Sequence, residues 1–187
     1  MNVVQPIRDK QVLEEIEHYL KQKNKRDYIM FILGIYTGLR ISDILNLKAK
    51  DLRDKTYLTL KEQKTKKRKT NTRKTIKINP FLKRELKEYL SELDDEVYVI
   101  KSRVGFNKPI SRERAYKILQ EVANKFRLEH VGTHTLRKTF GYHIYKATKD
   151  PALLQKLFNH SSEEITLRYI GINQDTMDDA ISKLKYH

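Results

Sequence analysis

No cysteine occurs among the 187 residues, so a disulfide framework, a thiolate zinc site and a cysteine nucleophile are all excluded, and a reducing compartment is expected. Long apolar runs are missing too. The longest, Tyr28 to Leu39, is too short to span a bilayer and is interrupted by Tyr36, Thr37 and Gly38, so it reads as a buried helix. The N-terminus, Met1-Asn2-Val3-Val4-Gln5-Pro6, lacks the basic-then-apolar order of a secretory signal, and the expected location is the cytoplasm. Carboxylates form no metal-ligating pattern and glycines form no phosphate loop, so neither a metal nor a nucleotide cofactor is expected. Internal repeats and low-complexity linkers are absent as well. Acidic residues are the last shortage: 24 Asp and Glu face 39 Lys and Arg, a formal net charge of +15 with a sequence pI near 9.8. That imbalance selects polyanionic partners, nucleic acid ahead of a membrane surface.

What is present reads as one mostly helical domain, 1–187, carrying a small antiparallel β-sheet, an α+β arrangement. Asp9 caps a helix with Val12, Leu13, Ile16 and Leu20 on one face, and a second helix runs from about Arg26 to Tyr36 before Thr37-Gly38 ends it. Arg40 follows that break at a helix junction, and Ser42 can start a short helix through Leu47. From Tyr57 to Ile78 the texture changes to a hairpin. Tyr57-Leu58-Thr59-Leu60 and Thr75-Ile76-Lys77-Ile78 alternate like strands around a dense run of cations: Lys61, Lys64, Lys66, Lys67, Arg68, Lys69, Arg73 and Lys74, with Lys77 beyond. As a group these form the strongest electrostatic footprint for DNA in the chain. Helix resumes at Asn79-Pro80 and runs to about Leu93, Val97 to Ile100 suits a short strand, and Ser111 opens a helix to Phe126. Beyond His134 the chain reads as helical nearly to its end, with Asp150-Pro151 opening one segment and a C-terminal helix over about 173–184.

The tail holds the chemistry. His134 and Arg137 stand three apart, which on a helix sets both on one face, able to grip a single anion, with Thr133 or Thr135 as the cap. His160 and Tyr169 are nine apart, a spacing that an unbroken helix would turn to opposite sides. A break between them is therefore expected, and Ser161-Ser162-Glu163-Glu164 supplies it as a capping box with Ser161 at the cap. His160 then lies at the mouth of a new helix, and Tyr169, two turns along and just before Gly171, leans back toward it. A phosphate can be held between the two.

Taken in order, Arg40, Lys64, His134, Arg137, His160 and Tyr169 make the chain resemble the catalytic domain of the tyrosine recombinases, the phage integrase family, over nearly its whole length. Thr37-Gly38-Leu39-Arg40-Ile41-Ser42-Asp43 is similar to the family's first arginine box, and His134-Thr135-Leu136-Arg137-Lys138-Thr139-Phe140 to its second. The resemblance implies the DNA breaking-rejoining fold and a metal-free strand transfer without cofactor. By it, Tyr169 is the nucleophile that forms a 3′-phosphotyrosyl link and frees a 5′-hydroxyl. Arg40 and Arg137 hold the non-bridging oxygens, His134 and His160 complete the pocket, and Lys64 is the general acid. Lys61, Lys66 and Lys67 lie near enough that a two-residue slip of register would exchange one for another.

Three departures stand out. Asn159 occupies the family's glycine position ahead of His160, a left-handed site that asparagine tolerates. Asp43 replaces a glutamate. The helical core-binding domain that usually precedes the catalytic domain is not in the sequence, from which weaker affinity and greater salt sensitivity are expected. Double-stranded DNA is the implied partner, bound by a homo-oligomer (a tetramer) with accessory DNA-bending proteins, and Met177, Ile181 and Leu184 lie on one face of the C-terminal helix. Three alternatives stay open. One is a type IB topoisomerase with the same chemistry, another a helix-turn-helix repressor, and the third a non-catalytic DNA-binding remnant or regulator using the hairpin. A remnant should have drifted at several of the six positions, whereas all six are present.

Overall fold

The computed structural model describes residues 4–61, 73–172 and 181–184, apart from the side chains of 61, 73 and 74. It is mainly helical with a two-stranded antiparallel sheet, as the periodicity predicts. Helix α1 (Lys10–Lys23) starts on Asp9, whose carboxylate accepts the Gln11 and Val12 N–H groups, and it buries the stripe Leu13, Ile16 and Leu20. Asn24 both ends α1 and begins α2 (Lys25–Thr37): its N–H donates to the Leu20 carbonyl at 2.8 Å, while its side chain accepts from the Asp27 N–H at 3.2 Å. Tyr28 through Gly34 are all buried, so α2 is the central helix. It stops at Gly38 in the left-handed region, φ 64°, where a side chain would be strained.

Two glycines, Gly34 within α2 and Gly38 at its end, admit another helix. A β-carbon on Gly34 would lie 2.5 Å from Leu136, and one on Gly38 would overlap the Phe140 ring, so α7 (Thr135–Thr148) crosses α2 at a distance only glycine permits. This crossing joins the two arginine boxes. Helices α3 (Ile41–Leu45) and α4 (Ala49–Leu52) follow α2. Arg40, not Ser42, stands at the start of α3, because Gly38 completes the reversal early enough for helix to resume at Ile41.

Strand β1 (Tyr57–Lys61) pairs with β2 (Arg73–Lys77) in the register Leu58 to Ile76 and Lys61 to Arg73. Leu58 and Ile76 face the core and Tyr57 faces out, the period-two pattern of a half-buried ribbon. Helix α5 (Pro80–Leu90), begun by Asn79, ends three residues sooner than expected, at a turn in which the Leu93 N–H donates to the Leu90 carbonyl. Val97 to Ile100 is not a strand. It makes a single bridge, Lys48 to Tyr98, because its partner segment turns into α4 after one pair.

Helices α6 (Arg112–Lys125), α8 (Pro151–Phe158) and α9 (Glu163–Ile170) begin on Ser111, Asp150 and Ser162. No described helix is long and apolar enough to cross a membrane. Buried side chains form two clusters. The larger spans α1 to α6 and takes Leu136 from α7; the smaller consists of Tyr142, Leu154, Phe158, Ile170 and Ile172. Residues 4–8 lie along α7, where the Ile7 N–H donates to the Thr139 hydroxyl at 2.9 Å and His143 Nε2 sits 3.0 Å from the Ile7 carbonyl.

Candidate active site

Arg137 is the anchor. It is only 4 % exposed, donates to the carbonyls of Gly38 and of Phe158 (3.2 Å for the latter), and stacks 4.1 Å above the Phe158 ring. A guanidinium has five donors in a rigid plane, so these carbonyls fix its orientation while Tyr169 remains a further hydrogen-bonding neighbour. Burial pulls its pKa down to about 10, which leaves it charged at neutral pH. Arg40 differs: it is exposed. Its field nevertheless reaches His134, Arg137 and Tyr169.

His134 is the N-cap residue of α7, one turn before Arg137 and on the same face. Neither threonine caps that helix. The Thr135 hydroxyl instead accepts the Gly132 N–H at 3.0 Å, securing the turn ahead of it. His130 and His134 have the four-residue spacing of a helical metal pair, but α7 begins after both, so they share no helix face. His134 Nδ1 lies 3.2 Å from the Tyr169 hydroxyl. Burial, then Arg137, Arg40, Lys138 and Arg112, hold this imidazole below its ordinary 6.5, so at neutral pH it is uncharged and able to accept the phenolic proton.

The break between His160 and Tyr169 is where the sequence predicts it, shifted by one residue. Asn159 ends α8 in the left-handed region (φ 55°, ψ 44°), and Ser162, not Ser161, caps α9 by accepting the Ile165 N–H at 3.2 Å. The shift has a local cause: an N-cap needs extended backbone, and Ser162 has it (φ −151°, ψ 160°). Tyr169 leans back as expected, its ring meeting the His160 ring edge-on with centroids 5.2 Å apart. Thr166, on the same helix, donates its one hydroxyl proton to the Ser162 carbonyl, so the 3.0 Å contact with His160 Nδ1 has imidazole as donor.

The Tyr169 hydroxyl sits between opposing influences. Burial raises its pKa above 10, whereas Arg137 and Arg40 draw it down; burial wins, and the resting phenol keeps its proton. Lys138 escaped the sequence reading. It is 7 % exposed, donates to the Val4 carbonyl at 2.7 Å, and sets its ammonium 5.0 Å over the Tyr169 ring, with burial lowering its pKa. A lysine beside an arginine reads as surface charge, and nothing in the sequence shows the N-terminal segment that covers it. Phe158, which backs Arg137, His160 and Tyr169, and Thr166, three residues ahead of Tyr169, were also missed. Their spacing to the site residues was the available signal.

Arg40, His134, Arg137, His160 and Tyr169 therefore come together. Lys64, Lys66, Lys67, Arg68 and Lys69 lie outside the described residues; Lys61, Arg73 and Lys74 have their backbone in the hairpin.

The sequence profile of the phage integrase family matches residues 7–175. The chain belongs to that family. It is 52 % identical over 176 residues to the probable integrase/recombinase YoeC of Bacillus subtilis, covering 94 % of each chain. It is 30 % identical over 161 residues to the tyrosine recombinase XerA of Pyrococcus furiosus, covering 84 % of this chain and 54 % of that protein. Among solved structures, its fold is similar to the XerA recombinase (TM-score 0.73, 17 % identity, 97 % of this chain and 65 % of that one). The XerH recombinase in a post-cleavage complex with its difH substrate is similar too (TM-score 0.72, 19 % identity, 97 % and 53 %). The chain thus spans about half the length of several recombinases it matches and nearly all of YoeC.

Proposed function

We propose that this family member cuts and reseals duplex DNA through Tyr169, as a site-specific recombinase. One observation carries the reading: the Tyr169 hydroxyl faces an uncharged His134 at 3.2 Å within the fields of Arg137 and Arg40. The phenolic oxygen attacks a backbone phosphorus and its proton passes to His134 Nδ1. The bond from phosphorus to the 5′ oxygen breaks, Lys64 protonates the departing oxygen, and a 3′-phosphotyrosyl link remains. Attack by a 5′-hydroxyl reverses every step, so strands are exchanged without an energy source.

The two arginines offset the charge gathering on the non-bridging oxygens, work that fixed cations in a partly dry site do well. His160, held by Thr166, completes the pocket around the same phosphate. Lys61, Lys66, Lys67, Arg68, Lys69, Arg73 and Lys74 grip the duplex backbone. A homo-oligomer assembles on that duplex: Ile181 and Leu184, 66 % and 58 % exposed, support a C-terminal face that packs on a second copy.

Nicked or half-site duplex should trap a covalent adduct with the protein, and Tyr169→Phe should reduce its yield to background while leaving duplex affinity intact. Adduct persisting in that variant would remove Tyr169 from the reaction. DNA binding with no adduct from any nicked duplex would favour the non-catalytic reading.

A further inference from the structure

The turn between Ile100 and Ile110 contributes no residue to the site described, and its tip is apolar and exposed. A bridge joins Lys101 to Pro109, the Ser102 N–H donates to the Lys108 carbonyl at 2.7 Å, and the Ile110 N–H donates to the Ile100 carbonyl at 3.0 Å. Asn107 ties the turn to the body, accepting from the Tyr98 N–H at 3.2 Å and donating to the Glu96 carbonyl at 3.0 Å. Arg26 holds the Lys101 carbonyl at 3.1 Å. The turn is thus built and anchored. At its tip Val104 is 81 % exposed and Phe106 97 % exposed. Around them Lys101, Arg103 and Lys108 are exposed, and from Val97 to Arg112 the chain has no acidic residue.

We infer that this hairpin is a second DNA contact, with Phe106 entering a groove of the duplex as an apolar wedge while Lys101, Arg103 and Lys108 rest on the flanking phosphates. The inference rests on the DNA reading of the previous section and adds to it a surface and a mode of contact. Three points carry it. A rigid turn presenting an aromatic ring to water gives up burial that a partner would restore. Two side chains are too small an area for a stable protein interface, which needs about 800 Å² per partner, whereas a single apolar wedge suffices to lever a base step. The cationic frame without acids matches a phosphate backbone.

Location fits as well. Arg112, six residues beyond Phe106, is close enough to His134 to depress its pKa. Six extended residues reach at most about 20 Å, or about six base-pair steps at roughly 3.4 Å each. The tip therefore lies within about 20 Å of Arg112, on the side of the molecule that faces His134.

The chain has no tryptophan, so Phe106→Trp places a single reporter at the tip. With labelled nicked duplex followed by anisotropy, Phe106→Ala should weaken binding about fivefold or more, the scale of one lost aromatic–base contact, and leave the salt dependence unchanged. Lys101→Gln and Lys108→Gln should each flatten that dependence by about one unit of slope. The indole emission of the Phe106→Trp variant should be quenched on binding. Wild-type binding with Phe106→Ala within twofold of it, or an indole emission indifferent to duplex, overturns the wedge and leaves the Tyr169 reading standing. No binding by the wild type overturns both.

Discussion

The two hydrophobic clusters differ in what they carry. The larger is centred on α2, at whose end the Gly38 carbonyl receives Arg137. The smaller consists largely of the site's own support: the Phe158 ring lies 4.1 Å below the Arg137 guanidinium and within 5.6 Å of the Tyr169 ring centroid and 5.4 Å of the His160 one. An eight-residue helix such as α9 has no stability of its own. The nucleophile candidate is therefore held where it is by a handful of side chains, while the bulk of the folding energy is gathered elsewhere. Local opening of α8 and α9 should precede global unfolding.

The severest test of that division is Arg137, which belongs to both sides. Arg137→Ala should slow covalent adduct formation by about 10³-fold, the scale of losing a fixed charge-stabilising donor. Arg137→Lys should recover little, since an ammonium cannot hold two carbonyls in one plane. Recovery to wild-type rate would mean that the plane is immaterial.

Next in size is a matched pair. Phe158→Ala and Phe31→Ala remove rings that are 1 % and 0 % exposed, each costing about 3–5 kcal/mol. At temperatures where both variants remain folded, the first should lose adduct formation and the second should keep it. Equal losses would show that the clusters act as one cooperative unit.

The regions should also answer pH in opposite senses. His134 accepts a proton only when neutral, and its pKa is depressed, so the rate of adduct formation should fall as pH drops, with a midpoint below 6.5. A midpoint above 6.5 would contradict the burial argument. Beside the large cluster, burial pushes the Glu17 carboxyl up to about 7, against a 3.5 Å hydrogen bond from Tyr36 and with help from Glu14 and Glu85. Such a group binds its proton more tightly folded than unfolded. Its contribution is complete below pH 4.5 and is lost as pH rises through about 7. Glu17→Gln should abolish this decline, worth roughly 1–3 kcal/mol after allowing for partial exposure, as read from thermal midpoints at about pH 4 and pH 8, either side of that window. An identical pH profile in the variant would assign the decline elsewhere.

Local signals were legible and carried far. Asp9, Asn79, Ser111 and Asp150 start helices where their side chains predict, and Gly38 and Gly171 stop them, because capping is settled within a turn of chain. Two of the misreadings needed a distant partner. Val97 to Ile100 has strand composition but only one bridge to make. Arg40 and Arg137 look equivalent in sequence, yet one is exposed and the other sealed beneath carbonyls from α2 and α8.

By itself, then, the order of residues determined most of the described helices, the paired strands, the family and the candidate site residues, since each depends on neighbours a few positions away or on motifs read in line. Only the tertiary structure decided that Arg137 is buried, that His134 is uncharged and faces Tyr169, and that Lys138 is closed in by Val4. Desolvation and pairing arise between segments as far apart as Val4 and Lys138, 134 positions along the chain, and no local pattern reports such an encounter.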